Sequence, residues 1–173
     1  CPQFIQDASA FALENDQVYL ANHSSPSLIV ISGTGKGLDK AEKLFDEAGA
    51  MKYVRLRVSG PFHSPLMSEA RDELEEYLES IRFDDPGKYL VANATGNVVK
   101  TGDEARRCCV EQIVSTVQWV SSEENLLSEG FERYLEPGPG RVLTGLWKSF
   151  YKKIRCKPAG TVEAISEVTE SAA

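Results

Sequence analysis

His23 and His63 are the only histidines in this 173-residue chain and its best candidates for proton transfer near neutral pH. His63 lies in Gly60-Pro61-Phe62-His63-Ser64-Pro65, between a segment that alternates like a strand and one with helical periodicity. Loops that follow strands commonly carry reactive groups in α/β folds, so this position suits a general base. A structural or simply exposed histidine is the alternative that the chemistry of the residue leaves open.

No serine in the chain has the surroundings of a nucleophile elbow. The Gly-X-Ser-X-Gly pattern, which allows a sharp strand-to-helix turn, occurs nowhere in the sequence. Ser32, Ser59 and Ser64 lack the flanking glycines. The chain also starts at Cys1 without a methionine and enters a helical pattern at once, so we expect it to be a fragment of a longer protein.

Composition predicts a soluble globular protein. Hydrophobic residues make up 42% of the chain and charged residues 26%, which is an ordinary balance for a packed domain. The longest apolar runs fall well short of the roughly 20 residues that cross a bilayer, so we expect no membrane partner. The net charge of −7 argues against nucleic-acid binding, which requires a basic surface.

The four cysteines are Cys1, Cys108, Cys109 and Cys156. Their spacing fits neither a zinc site nor a dense disulfide framework. We therefore predict reduced thiols, no bound metal, and a cytoplasmic or organelle-matrix location.

The first third of the chain predicts a small, incomplete subdomain. Its pattern gives a helix over residues 2–14, strands over 18–21 and 28–31, a helix over 38–48 and a strand over 53–58. This order equals a ferredoxin-like unit without its first strand. We place this subdomain at residues 1–58.

Residues 59–173 predict a second subdomain, in which longer helices alternate with strands. The helices fall at 66–81, 103–114, 119–128 and 142–150, with Asp103 as a possible cap, and the strands at 89–92, 131–135 and 161–165. Such alternation favours an α/β layer structure with a largely parallel sheet.

Several motifs together resemble the malonyl-CoA:acyl carrier protein transacylase family. Residues 60–67, Gly-Pro-Phe-His-Ser-Pro-Leu-Met, are similar to the segment around that family's catalytic histidine. Gln112 precedes Gln118-Trp119 at the family's spacing, and residues 138–146, Gly-Pro-Gly-Arg-Val-Leu-Thr-Gly-Leu, resemble its C-terminal signature. The resemblance covers nearly the whole chain. It implies the C-terminal part of an α/β-hydrolase-like large subdomain together with the incomplete ferredoxin-like one.

The resemblance also implies a mechanism. A serine, absent from this chain, would take malonyl from coenzyme A and pass it to the phosphopantetheine thiol of acyl carrier protein in fatty acid biosynthesis. His63 would be the base, and the main-chain carbonyl at Gln112 would hold its second nitrogen. Phe62, Asn22 and Asn93 would lie at the bound substrate. The missing N-terminal half would be a partner, and no cofactor is implied beyond the substrate malonyl-CoA.

A basic stretch near the C-terminus provides a candidate docking surface. Residues 141–157 contain six cations and no acidic residue, and we expect Arg141, Lys148, Lys152 and Lys153 to attract an acidic carrier protein. Cations that suit a helix C-terminus are the alternative. Two other functions remain open for the chain, namely a non-catalytic module that binds the carrier protein and a polyketide-type acyltransferase domain.

Overall fold

The computed structural model describes residues 17–170, which fold into helices and short β-strands. The strands are β1 (Val18–Ser25), β2 (Leu28–Gly33), β3 (Leu90–Val91), β4 (Val98–Val99), β5 (Tyr134–Pro137) and β6 (Cys156–Ala159). The helices are α1 (Gly35–Glu47), α2 (Ser68–Glu79), α3 (Gly102–Glu111), α4 (Trp119–Ser128), α5 (Val142–Phe150) and α6 (Val162–Glu170). The chain divides into two compact units, residues 1–125 and residues 126–173. The helix predicted over 2–14 lies outside the described residues.

The first unit begins with an antiparallel hairpin and a helix. β1 pairs with β2 so that Ser25 lies opposite Leu28, and the turn between them is supported by a hydrogen bond from the Ser27 amide to Ser25 Oγ. Thr34 then caps α1, because its hydroxyl accepts from the Gly37 amide. The strands and helix predicted for this part of the chain are confirmed.

The strand predicted over 53–58 is wrong. This segment pairs with no strand among the described residues and is bound to α1 instead, through Tyr53 Oη donating to the Leu38 carbonyl at 3.3 Å and through Arg55 with Asp39 and Glu42. Alternation indicates a chain with one apolar and one polar face, but a strand also needs a neighbour to complete its backbone hydrogen bonds. Its apolar side chains, Val54, Leu56 and Val58, are exposed.

The rest of the first unit provides the supports of the candidate site. A single 3-10 turn, Pro65–Met67, leads into α2, and β3 pairs antiparallel with β4. The cap of α3 is Thr101, whose hydroxyl accepts from the Glu104 amide, so the suggested cap at Asp103 is wrong. Asp103 lies in the first turn, where its negative charge suits the helix dipole.

The second unit is built around one parallel strand pair. β5 runs parallel to β6, with Tyr134 opposite Cys156, and α5 connects the two strands. Trp147 of α5 is buried against the Tyr134 ring at a centroid distance of 4.4 Å, and its Nε1 donates to the Ile154 carbonyl at 2.8 Å. The strand predicted over 161–165 is wrong: Thr161 accepts from the Ala164 amide and α6 starts there.

The chain therefore has a mixed α/β fold. Within residues 17–170 the ladders are two antiparallel pairs and one parallel pair, with a parallel bridge between Asn22 and Val117. These residues do not by themselves complete the largely parallel sheet that was predicted. The hydrolase-like and ferredoxin-like assignments, and the division after residue 58, stay predictions.

Candidate active site

His63 occupies a backbone conformation that few residues other than glycine adopt. Its φ angle is 57°, in the left-handed region, where a side chain crowds the following carbonyl. Such a conformation persists only when surrounding contacts hold it, and it often marks a functional position. His63 is half-buried, so it is neither enclosed in the core nor fully exposed to solvent.

Two serine hydroxyls hold the peptides that precede His63. Ser64 is fully buried and its Oγ donates to the Pro61 carbonyl at 2.6 Å. Ser32, on β2, donates from Oγ to the Phe62 carbonyl at 2.8 Å. Because both peptides are fixed, the backbone at His63 keeps its left-handed geometry and the direction of the ring is set.

The end of α3 supplies the partner of the imidazole. His63 Nδ1 lies 2.9 Å from the main-chain oxygen of Gln112, the C-cap residue of α3. The last carbonyls of a helix have no partner within the helix and carry its negative dipole end. This carbonyl can therefore accept the Nδ1 proton and stabilise a positive charge on the ring.

The arrangement leaves the other ring nitrogen free to act as a base. When Nδ1 carries the proton and donates to the Gln112 oxygen, Nε2 of His63 has an available lone pair. A neutral carbonyl thus fills the orienting role that a carboxylate fills in serine hydrolase triads. The site therefore resembles the base half of a nucleophile–base pair.

The chain is similar in both sequence and structure to known proteins. The Bacillus subtilis malonyl CoA-acyl carrier protein transacylase is 36% identical over 152 residues, covering 88% of this chain and 48% of the relative. The crystal structure of the transacylase from Xanthomonas oryzae matches with a TM-score of 0.90 and 33% identity, over 98% of this chain and 54% of that one. Over most of its length this chain is thus similar in sequence and structure to malonyl-CoA:acyl carrier protein transacylases. It spans about half the length of the curated relatives it matches.

One further relative was solved with a partner. The malonyl-transacylase in a complex with its type II PKS acyl-carrier protein matches with a TM-score of 0.89 and 30% identity, over 97% of this chain and 55% of that one. No protein-family profile matches the chain.

Asn22 and Asn93, two further residues that the transacylase resemblance selects, flank one short segment. The Val117 amide donates to the Ala21 carbonyl, and the His23 amide donates to the Val117 carbonyl, so Asn22 lies beside this segment on β1. On the other side, the Gln118 amide donates to the Asn93 carbonyl at 2.7 Å. Both asparagines therefore flank the segment that follows Gln112. Phe62 precedes His63 with its side chain 43% exposed.

The predicted docking cations lie in the second unit. Arg141, Lys148, Lys152 and Lys153 are all exposed. They surround or follow α5, whose N-terminus is preceded by the Gly138-Pro139-Gly140 turn, in which both glycines have positive φ angles. The structure thus puts these charges at the surface of one unit.

Sequence reasoning missed the supporting roles of several polar residues. Ser32 and Ser64 were considered only as nucleophiles, whereas both hold the histidine loop. Glu123 was not selected, although it lies four residues after Trp119 on α4 and its Oε1 accepts from that indole at 2.8 Å. The sequence did contain a signal for this contact, because residues four positions apart, such as Trp119 and Glu123, lie on the same face of a helix. Burial raises the pKa of Glu123 to about 7.

Residues 17–170 contain neither a candidate metal site nor a membrane-spanning helix. No group of three or more His, Cys, Asp and Glu side chains there could hold a metal ion. In the same part of the chain, no helix is both long and apolar enough to span a membrane. Cys108 and Cys109 are free thiols, and Cys1 lies outside the described residues.

Proposed function

We propose that this chain carries the general base of an enzyme that transfers malonyl from coenzyme A to acyl carrier protein in fatty acid biosynthesis. The observation that carries the proposal is the 2.9 Å contact between His63 Nδ1 and the Gln112 carbonyl. His63 is the histidine of the Gly-Pro-Phe-His motif. Similarity to named transacylases supports the substrate class, and the contact supports the roles of His63 and Gln112.

The proposed reaction has two acyl transfers. A serine from the part of the protein outside these 173 residues attacks the malonyl thioester, and His63 Nε2 accepts its proton. The protonated ring then gives that proton to the departing thiol of coenzyme A. The phosphopantetheine thiol repeats the cycle in reverse on the acyl-serine. During both transfers the Gln112 carbonyl stabilises the imidazolium.

The remaining predicted residues are assigned to substrate and carrier protein. Phe62, beside the reacting centre, would restrict the space at the α-carbon and favour malonyl over branched acyl groups. Asn22 and Asn93 would contact the bound substrate, and the cations of residues 141–157 would attract the acidic carrier protein. The solved complex of a related malonyl-transacylase with an acyl-carrier protein supports a partner of this kind.

A polyketide acyltransferase is the second candidate. The carrier protein in that complex belongs to a type II PKS, and its malonyl-transacylase is 30% identical to this chain. The chemistry at His63 would be the same, because only the identity of the carrier protein differs. We also propose a cytoplasmic or organelle-matrix location for either enzyme.

The test uses the complete polypeptide that contains this chain. It is incubated with malonyl-CoA and analysed by intact-protein mass spectrometry, and then with holo-acyl carrier proteins of fatty acid or polyketide origin. We expect a malonyl-enzyme that is discharged by addition of carrier protein, and no such product from the 173-residue chain alone. A complete protein that neither becomes acylated nor loads either carrier would overturn the proposal.

A further inference from the structure

Gln112 approaches the catalytic imidazole twice. Its main-chain oxygen lies 2.9 Å from His63 Nδ1, and its side-chain amide group, with Nε2 as the nearer atom, lies 3.0 Å from the same nitrogen. A ring nitrogen has one in-plane position, which holds either a proton or a lone pair. It therefore cannot donate to the carbonyl and accept from the amide nitrogen at the same time.

The main-chain contact decides which state is possible. A carbonyl oxygen only accepts, so an unprotonated Nδ1 would place two lone pairs against each other at 2.9 Å. Nδ1 must carry the proton. An amide NH₂ facing that proton would then be repelled. The nitrogen and oxygen ends of a glutamine amide have nearly the same shape, and the hydrogen-bond network determines which end faces a partner.

We propose that the Gln112 side chain turns its amide oxygen toward His63, so that both oxygens of Gln112 accept the one Nδ1 proton. Gln112 is then a positioning residue through its side chain as well as its backbone. Only this arrangement makes every contact at Nδ1 attractive, both for the neutral ring and for the imidazolium. It keeps the lone pair on Nε2, the form that a general base needs.

The side chain adds what the backbone carbonyl alone does not provide. The imidazole is half-buried, so water can compete for the Nδ1 proton if only one acceptor holds it. A second acceptor from the same residue reduces this competition by water and restricts rotation of the ring. The inference rests on the proposed function only for its effect on catalysis, because the tautomer of His63 exists whether or not the protein transfers an acyl group.

The primary test is nitrogen-15 NMR of the imidazole rings in the labelled 173-residue chain at about pH 9, where histidine is neutral. We expect His63 to carry its proton on Nδ1. In Gln112→Met, which keeps the length but has no oxygen, the Nδ1-protonated fraction should fall and that proton should exchange with water several-fold faster. Gln112→Glu, which keeps the oxygens, should retain the Nδ1 proton. His23 serves as the internal reference, since its signals should not change.

Two results would overturn the inference. One is a parent ring protonated on Nε2, which needs no variant to establish. The other is a Gln112→Met chain with the tautomer ratio and exchange rate of the parent, which would assign the whole effect to the backbone carbonyl. In the complete enzyme, Gln112→Met should lower kcat several-fold with little change in KM, and Gln112→Glu should restore it while the acid limb of the pH–rate profile moves to higher pH. Absence of any malonyl transfer would contradict the proposed function but not the tautomer.

Discussion

The two motifs that most resemble the transacylase family are held in different ways. At the histidine loop, serine hydroxyls and a helix-end carbonyl fix the backbone and one ring nitrogen, while the ring stays half-exposed. At the Gly138-Pro139-Gly140 turn, Glu136 is 7% exposed, and its carboxylate accepts from the Leu143 amide, the Thr144 amide and the Thr144 hydroxyl. The first motif leaves a reactive atom available, whereas the second is held by Glu136, two residues before it, whose satisfied carboxylate anchors the start of α5.

Glu123 in the first unit and Glu136 in the second are both buried, but their pKa values shift in opposite directions. Hydrogen bonds from the Thr144 hydroxyl and from backbone amides lower the pKa of Glu136, although partial desolvation opposes them. Glu123, which is 1% exposed, receives a hydrogen bond from Trp119 alone, and its Oε2 has no partner among the described residues. Burial therefore raises its pKa to about 7. Burial thus raises the pKa of Glu123, whereas hydrogen-bond donors lower that of Glu136.

The largest effect should follow from removing the base. His63→Ala in the complete enzyme should lower the rate of malonyl transfer by about 10²–10⁴-fold, the usual contribution of general acid–base catalysis. Stability should change little, because the half-exposed ring contributes little packing. Transfer assays and thermal melts measure both, with His23→Gln as the control for the other histidine. Unaltered turnover would remove His63 from the mechanism.

At the second motif we expect a substitution to lower stability, whereas at His63 it lowers activity. Glu136→Gln removes the charge that accepts from three donors, so the melting temperature should fall by a few degrees at neutral pH. The folded pKa of Glu136 lies below its ordinary value, so this stabilisation is lost as pH falls through the folded pKa, and the two proteins should converge in acid. Glu132→Gln, at an exposed position in the same unit, is the control. Equal melting of parent and Glu136→Gln at pH 7 would contradict the anchoring role.

For Glu123 we expect stability to depend on pH in the direction opposite to that for Glu136. Its folded pKa is raised from 4.5 to about 7, so the folded protein binds the proton more tightly than the unfolded chain, and stability falls as pH rises between these values. The full penalty above that range is at most about 3 kcal/mol. Glu123→Gln should abolish this slope and gain stability over the parent as pH rises. Urea titrations at several pH values measure it, and the exposed neighbour Glu124→Gln should keep the parent slope.

The smallest effect concerns the charges of the second unit. Reversing Lys152 and Lys153 to Glu should slow association with acyl carrier protein a few-fold and weaken its salt dependence, since rim charges act on the association rate. Stopped-flow binding at low and high salt measures this. The double reversal of Lys36 and Lys43, which are exposed on α1 of the other unit, is the matched control. If both reversals slow association equally, net charge explains the effect and the docking surface is not needed.

Local sequence determined much of the fold and part of the site. Helices were predicted where they occur, as at Trp119–Ser128 and Val142–Phe150, because helical hydrogen bonds form within the segment. The motif around His63 selected the histidine and, through the resemblance, the residue whose carbonyl holds it. These signals are short-range or shared with relatives, so they are readable from one chain.

Tertiary structure decided what depends on a distant partner. The alternation at residues 53–58 predicted a strand, but this segment pairs with no strand among the described residues. The error at 161–165 was of another kind, because the capping Thr161 is a local signal that the sequence contained. The second approach of Gln112 to His63 spans 49 positions along the chain, and the serine hydroxyls that hold the loop were visible in the sequence only as failed nucleophiles. The opposite pKa shifts of Glu123 and Glu136 follow from burial of the first and from the donors that reach the second. Residue type and spacing can propose a base, but only packing determines which hydrogen bonds reach it.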